Sequence, residues 1–181
     1  EYDLDIPKLL ERAKFIKTKE KGIPITKKFI GDQDRLAKMA GGLAAPLTNF
    51  ANKFPPSRKI VGAILDVHSS AILPEYQAET FSAWFKKHYG EGIKPSNPVR
   101  KIAFFSSCTV NYTDTDIGKM SILILEHNNV EVVVPEQRCC GMPLIDIGDY
   151  DGAVKKMDFN LARLSALVDQ GYDIVVPQPT C

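Results

Sequence analysis

Lys101-Ile102-Ala103-Phe104-Phe105 is a short, continuous apolar run, and Cys108 follows within three residues of its end. A run of this length, too apolar to keep one face wet, reads as a buried strand. Val130-Glu131-Val132-Val133-Val134 and Asp173-Ile174-Val175-Val176 repeat the pattern. Between the first two, residues 117–125 place Met120, Ile122, Leu123 and Ile124 at apolar positions of a helix. Between the last two, residues 150–169 do so through Val154, Met157, Leu161, Leu164 and Val168. The order β-α-β-α-β with strands buried on both faces predicts an α/β fold, with a parallel sheet and right-handed helical crossovers.

Each strand is followed by cysteine: Cys108 after the first, Cys139 and Cys140 after the second, Cys181 after the third. Parallel strands put these ends along one edge, where open α/β sheets bind ligands. The topology therefore gathers thiols that are far apart in sequence. The first residues, Glu1-Tyr2-Asp3-Leu4-Asp5, are acidic and carry no apolar leader segment. Without a secretory signal a disulfide framework is disfavoured, and metal or redox chemistry is favoured. Sulfur ligands select zinc, Cu(I) or iron–sulfur clusters. Adjacent cysteines are an uncommon pair on one zinc ion, whereas a polynuclear cluster accepts neighbours that point at different metal atoms. Gly141 allows close backbone approach and Pro143 stiffens the exit. A vicinal disulfide, cysteines buried as small hydrophobes, and thiol–disulfide exchange at Cys139-Cys140 are the other readings. Thr109, Asn111 and Thr180 lie close enough in sequence to donate hydrogen bonds to sulfur.

The first hundred residues read as helices separated by Pro and Gly. Leu9, Leu10, Ala13 and Ile16 share one face of a helix over 8–20, which Gly22 and Pro24 end. From Asp32, a candidate N-cap, apolar residues recur at Leu36, Met39, Ala40, Leu43, Leu47 and Phe50, interrupted by Gly41-Gly42 and Pro46, so a broken helix is expected. Ile60, Val61, Ile64 and Leu65 form another face. After Pro74, Phe81, Trp84 and Phe85 stand at helical spacing as core residues, while His68 and His88 receive no role. Residues 1–90 are thus a helical region suited to docking a partner, 91–100 a Gly/Pro linker, and 101–181 the cysteine-bearing domain.

With 181 residues, 44% of them hydrophobic and 25% charged, and a mean hydropathy of −0.13, the composition excludes collagenous, low-complexity and largely disordered chains. No apolar run approaches the roughly 18 residues of a membrane span. Residues 1–100 carry 17 Lys and Arg against 11 Asp and Glu, and residues 101–181 carry 6 against 11, so a basic part precedes an acidic one. The lysines are scattered and lack interleaved aromatics, which argues against nucleic acid; no G-x-G-x-x-G or P-loop run is present.

Ser107-Cys108-Thr109-Val110-Asn111-Tyr112, Cys139-Cys140-Gly141-Met142-Pro143-Leu144 and Pro179-Thr180-Cys181 resemble the cysteine-rich C-C-G domain of heterodisulfide reductase. That domain also occurs in the iron–sulfur subunits of anaerobic glycerol-3-phosphate dehydrogenase and glycolate oxidase. Cys108, Cys139, Cys140 and Cys181 take its first four cysteine positions. The pattern's fifth cysteine would follow Cys181, so the chain is read as part of a longer protein, extended at both ends and truncated at the C-terminus of this domain. The resemblance implies that these four residues bind a 4Fe–4S cluster, of cubane or noncubane type, with zinc as the alternative. It implies electron relay between a flavoprotein dehydrogenase, or another redox subunit, and a quinone or other membrane-associated acceptor. Disulfide reduction at the cluster, as in heterodisulfide reductase, and a zinc-stabilised, non-catalytic interaction module are the competing functions. The expected location is the cytoplasm, with peripheral attachment at the inner face of the membrane, and no catalytic residue is assigned.

Overall fold

The computed structural model describes residues 5–65, 67–68 and 70–181. Residues 1–4 of the expected helical region, and the side chain of Leu65, lie outside that description. Helix α1 (Ile6–Lys21) begins where the Asp5 carboxylate accepts the Lys8 N–H and Pro7 sits in the first turn, and it ends at Gly22. The next stretch is broken where the sequence says it should be. Helices α2 (Ile25–Gly31) and α3 (Gln33–Ala40) are followed by a 3-10 turn at Gly42–Ala44 and by α4 (Ala45–Lys53) and α5 (Pro55–Leu65). The Thr80 hydroxyl caps α6 (Phe81–Tyr89) by accepting the Ala83 N–H.

The sheet consists of β1 (Gly92–Ile93), β2 (Lys101–Phe104), β3 (Glu131–Val133) and β4 (Asp173–Val175), in the spatial order β1-β3-β2-β4. Strands β3 and β4 flank β2 in parallel, Ala103 pairing with Val133 on one side and Ile174 on the other. Within the 91–100 stretch, β1 adds a short antiparallel edge to β3. Two short helices that apolar periodicity does not reveal, α7 (Cys108–Tyr112) and α9 (Met142–Asp146), follow β2 and β3. The long crossover helices are α8 (Thr115–His127) and α10 (Tyr150–Val168).

The main core joins both parts of the chain. Phe81 and Phe85 of α6 pack with Ile102, Phe104, Val110, Ile122, Val130 and Val132. The Phe81 and Phe104 ring centroids are 5.4 Å apart. Gly118 lets α8 press against this cluster, since a Cβ there would stand 2.6 Å from the Phe81 ring. Elsewhere the N-terminal helices lie against the loops that follow the strands. Thr18 donates to the Gly148 carbonyl at 3.1 Å, and the Phe15 ring meets Tyr150 edge-on at 4.9 Å.

Candidate metal centre

Chain connectivity runs from β2 to β3 on one side and then across to β4 on the other, so the direction of winding reverses around β2. In such sheets the crevice at the carboxyl ends beside that reversal collects ligands. Cys108 is the first residue of α7 and directly follows Ser107, whose buried hydroxyl accepts the Val110 N–H and so caps that helix. Cys139 and Cys140 lie between β3 and α9, and Cys181 lies beyond β4. All four are free thiols, with Cys139 buried, Cys108 and Cys140 partly so, and Cys181 exposed.

The thiols form a row. Neighbouring thiols act on one another's ionisation, Cys108 with Cys139, Cys139 with Cys140, and Cys140 with Cys181. Cys139 holds the Cys108 thiol below its ordinary value despite burial. Cys108 in turn pushes Cys139 up to about 12, and Cys139 also raises Cys140. Burial, then the Cys140 charge, raises Cys181 to about 11. Four sulfurs this close resist ionising together, and a cationic centre removes that resistance.

Stabilisation of charge on sulfur comes from a source that side-chain chemistry alone does not suggest. The backbone N–H groups of Gly141 and Met142 face Cys139 and Cys140 respectively and act to lower their pKa values. Gly141 supplies the turn that aims them, at φ +94°, with its α-carbon against Ala153 of α10. Asn111 is turned elsewhere, its Oδ1 accepting the backbone N–H and the hydroxyl of Ser82. The Ser107 hydroxyl, next to Cys108 in sequence, donates to the Gln178 side-chain oxygen at 3.4 Å.

A second group that the sequence does not mark reaches in from the N-terminal helices. The Cys139 N–H donates to both carboxylate oxygens of Asp34, at 2.8 and 2.7 Å. Lys156 of α10 donates to Asp34 at 2.9 Å and to Asp32 at 2.7 Å. Burial alone would lower the Lys156 pKa, but these two carboxylates outweigh it and hold the ammonium above its ordinary value. Asp32 stands at the expected N-cap of α3 but makes no capping bond, because Lys156 takes its oxygen. Beside the thiols, a cleft of about 550 Å³ opens onto Cys108 and Cys139, with Lys38, Lys86, Tyr112 and Arg138 in its walls.

The donor set has the chemistry of a soft, sulfur-ligated centre, since all four side chains are sulfur. Among the described residues no group of three or more His, Cys, Asp or Glu side chains is placed so as to hold a metal ion. Fold and site together define a class of α/β domain that collects thiols at the carboxyl edge of a parallel sheet. Residues 102–181 match the family model of the CCG cysteine-rich domain. The chain is 28% identical over 172 residues to a subunit of the anaerobic glycerol-3-phosphate dehydrogenase of Escherichia coli strain K12, covering 94% of this chain and 42% of that protein. It is 34% identical over 93 residues to a subunit of the fumarate reductase (CoM/CoB) of Methanothermobacter marburgensis, covering 49% of this chain and 18% of that one. Lactate utilization protein A of Bacillus velezensis is 33% identical over 82 residues, which is 45% of this chain and 33% of the relative. The chain thus spans about two fifths of the length of the first of these relatives. No solved structure matches it. Among the described residues no helix is long and apolar enough to cross a membrane.

Proposed function

We propose that Cys108, Cys139, Cys140 and Cys181 hold an iron–sulfur cluster, and that the protein relays electrons between a flavoprotein dehydrogenase and a quinone or other acceptor. The observation that carries this reading is the continuous row of four thiols at the edge where three parallel strands end. When bound, such a cluster supplies one-electron redox chemistry. Around it, burial of Cys139 limits access of water, and the Gly141 and Met142 N–H groups stabilise charge on sulfur. The cleft beside Cys108 and Cys139 gives a redox partner close approach to the centre.

The similarity to a glycerol-3-phosphate dehydrogenase component along nearly the whole chain supports the dehydrogenase-type relay. The excess of basic residues before position 100 supports docking on an acidic partner or an anionic membrane face in the cytoplasm. The helices before residue 90 then belong to that docking region, and residues 101–181 to the cluster-binding unit. The test is anaerobic purification of the intact gene product, with assays of iron and acid-labile sulfide and EPR spectra in the oxidised and reduced states. About four irons and four sulfides per four-thiol site are expected. Stoichiometric zinc without sulfide would overturn the reading.

A further inference from the structure

We propose that Asp34 and Lys156 position the Cys139–Cys140 loop and set the reduction potential of the centre it holds, Asp34 lowering that potential and Lys156 raising it. The inference rests on the cluster reading above and extends it to two residues outside the thiol set, one of them in the N-terminal helices.

The geometry of α3 is the starting point. A carboxylate in the first turn of a helix ordinarily accepts that helix's own N–H groups. Asp32 and Asp34 instead direct their oxygens away from α3, to Lys156 and to the backbone of Cys139. Lys156 is 8% exposed, so its ammonium depends on these two carboxylates for compensation. The three side chains tie α3, the cysteine loop and α10 to one another, and the loop cannot shift without breaking the hydrogen bonds from the Cys139 N–H to Asp34.

Two effects on potential follow from the same contacts. Hydrogen bonds from backbone N–H groups to ligand sulfur favour the reduced state of a sulfur-ligated centre. Asp34 occupies the Cys139 N–H with both oxygens and keeps it from sulfur. Asp34 also lines the same cleft as Cys108 and Cys139. A fixed anion there favours the oxidised state, and the Lys156 cation offsets it.

The test is an EPR-monitored redox titration of the intact, anaerobically purified protein and its Asp34→Asn and Lys156→Gln variants, each with iron and sulfide assayed. The expected result is full loading with shifts of opposite sign, upward for Asp34→Asn and downward for Lys156→Gln. A purely structural role would impair loading or stability without that opposition. Loaded variants that both keep the wild-type potential, or shift in the same direction, would overturn the inference and leave the cluster reading standing. Wild-type protein without iron and sulfide would overturn the cluster reading and this inference with it. If Asp34→Asn fails to assemble a centre, Lys156→Gln decides alone: a lower potential supports the inference, and an unchanged or higher one overturns it.

Discussion

Gly141 lies against Ala153 of α10 so closely that a Cβ on the glycine would stand 3.3 Å from both the Cα and the Cβ of that alanine. Gly141 also holds a left-handed conformation, φ +94°. The third position of the Cys-Cys-Gly run therefore answers to two demands, backbone handedness and space, and both serve to aim N–H groups at the preceding sulfurs. The Gly141→Ala variant is expected to lose about 1–3 kcal/mol from backbone strain, with a further loss where Ala153 must give way. Urea unfolding of the metal-free protein measures the first effect, and iron incorporation under anaerobic reconstitution should fall in parallel. Unchanged stability would show that the loop can adopt another path.

Replacing Cys108, Cys139 or Cys140 singly by Ser should leave the α/β fold in place and strongly reduce bound iron. Serine keeps the approximate size but lacks the soft donor. Far-UV circular dichroism and iron analysis on the same preparations separate the two outcomes. A Ser variant of Cys139 that retained full iron would remove that residue from the ligand set.

Phe81 is fully buried against Phe104, although it belongs to the helical region that precedes the sheet. The Phe81→Ala variant should cost about 3–5 kcal/mol, the range for deleting a large core aromatic. It should also lower the unfolding midpoint of the whole molecule in one cooperative transition, because α6 and β2 share one cluster. A variant that melts α6 alone, with the sheet transition unmoved, would contradict this.

The Tyr89 hydroxyl donates to Glu126 at 2.7 Å, and burial together with that bond pushes its pKa up to about 12. The folded state thus favours the neutral phenol. The associated stability is complete below the unfolded value near 10 and fades as pH rises from there to about 12. Ultraviolet titration should show this tyrosine ionising late, and Glu126→Gln should bring it back toward the ordinary value. A wild-type titration with every tyrosine ionising near 10 would refute the assignment.

The three parallel strands were legible because each is a compact apolar run, and the position of the cysteines after them followed from topology. The helices at Cys108–Tyr112 and Met142–Asp146 were not, since five residues are too few to display a helical period. Gly92–Ile93 looked like linker because Gly and Pro surround it, yet its pairing is supplied by β3, distant in sequence. Asp34 was invisible as part of the site for a similar reason. It stands 105 residues from Cys139 and 122 from Lys156, and no local pattern marks a carboxylate that abandons its own helix. Asp32 looked like a cap on local grounds, and the tertiary demand of Lys156 overrode that preference. Of the side chains expected to donate to sulfur, Asn111 is engaged by Ser82 instead, while the main-chain N–H groups of Gly141 and Met142, whose direction depends on a dihedral angle, act on the sulfurs.

The strands that deliver the cysteines are not equally secure. Among the described residues strand β2 has a neighbour on each side, whereas β4 is paired with β2 alone, and two of its three residues are exposed. Edges of this kind fray first, and amide exchange in β4 should outpace that in β2. Among the described residues the thiols therefore rest on unequal supports: Cys108 follows β2 and Cys139 and Cys140 follow β3, each paired on both sides, while Cys181 follows a strand paired with β2 alone.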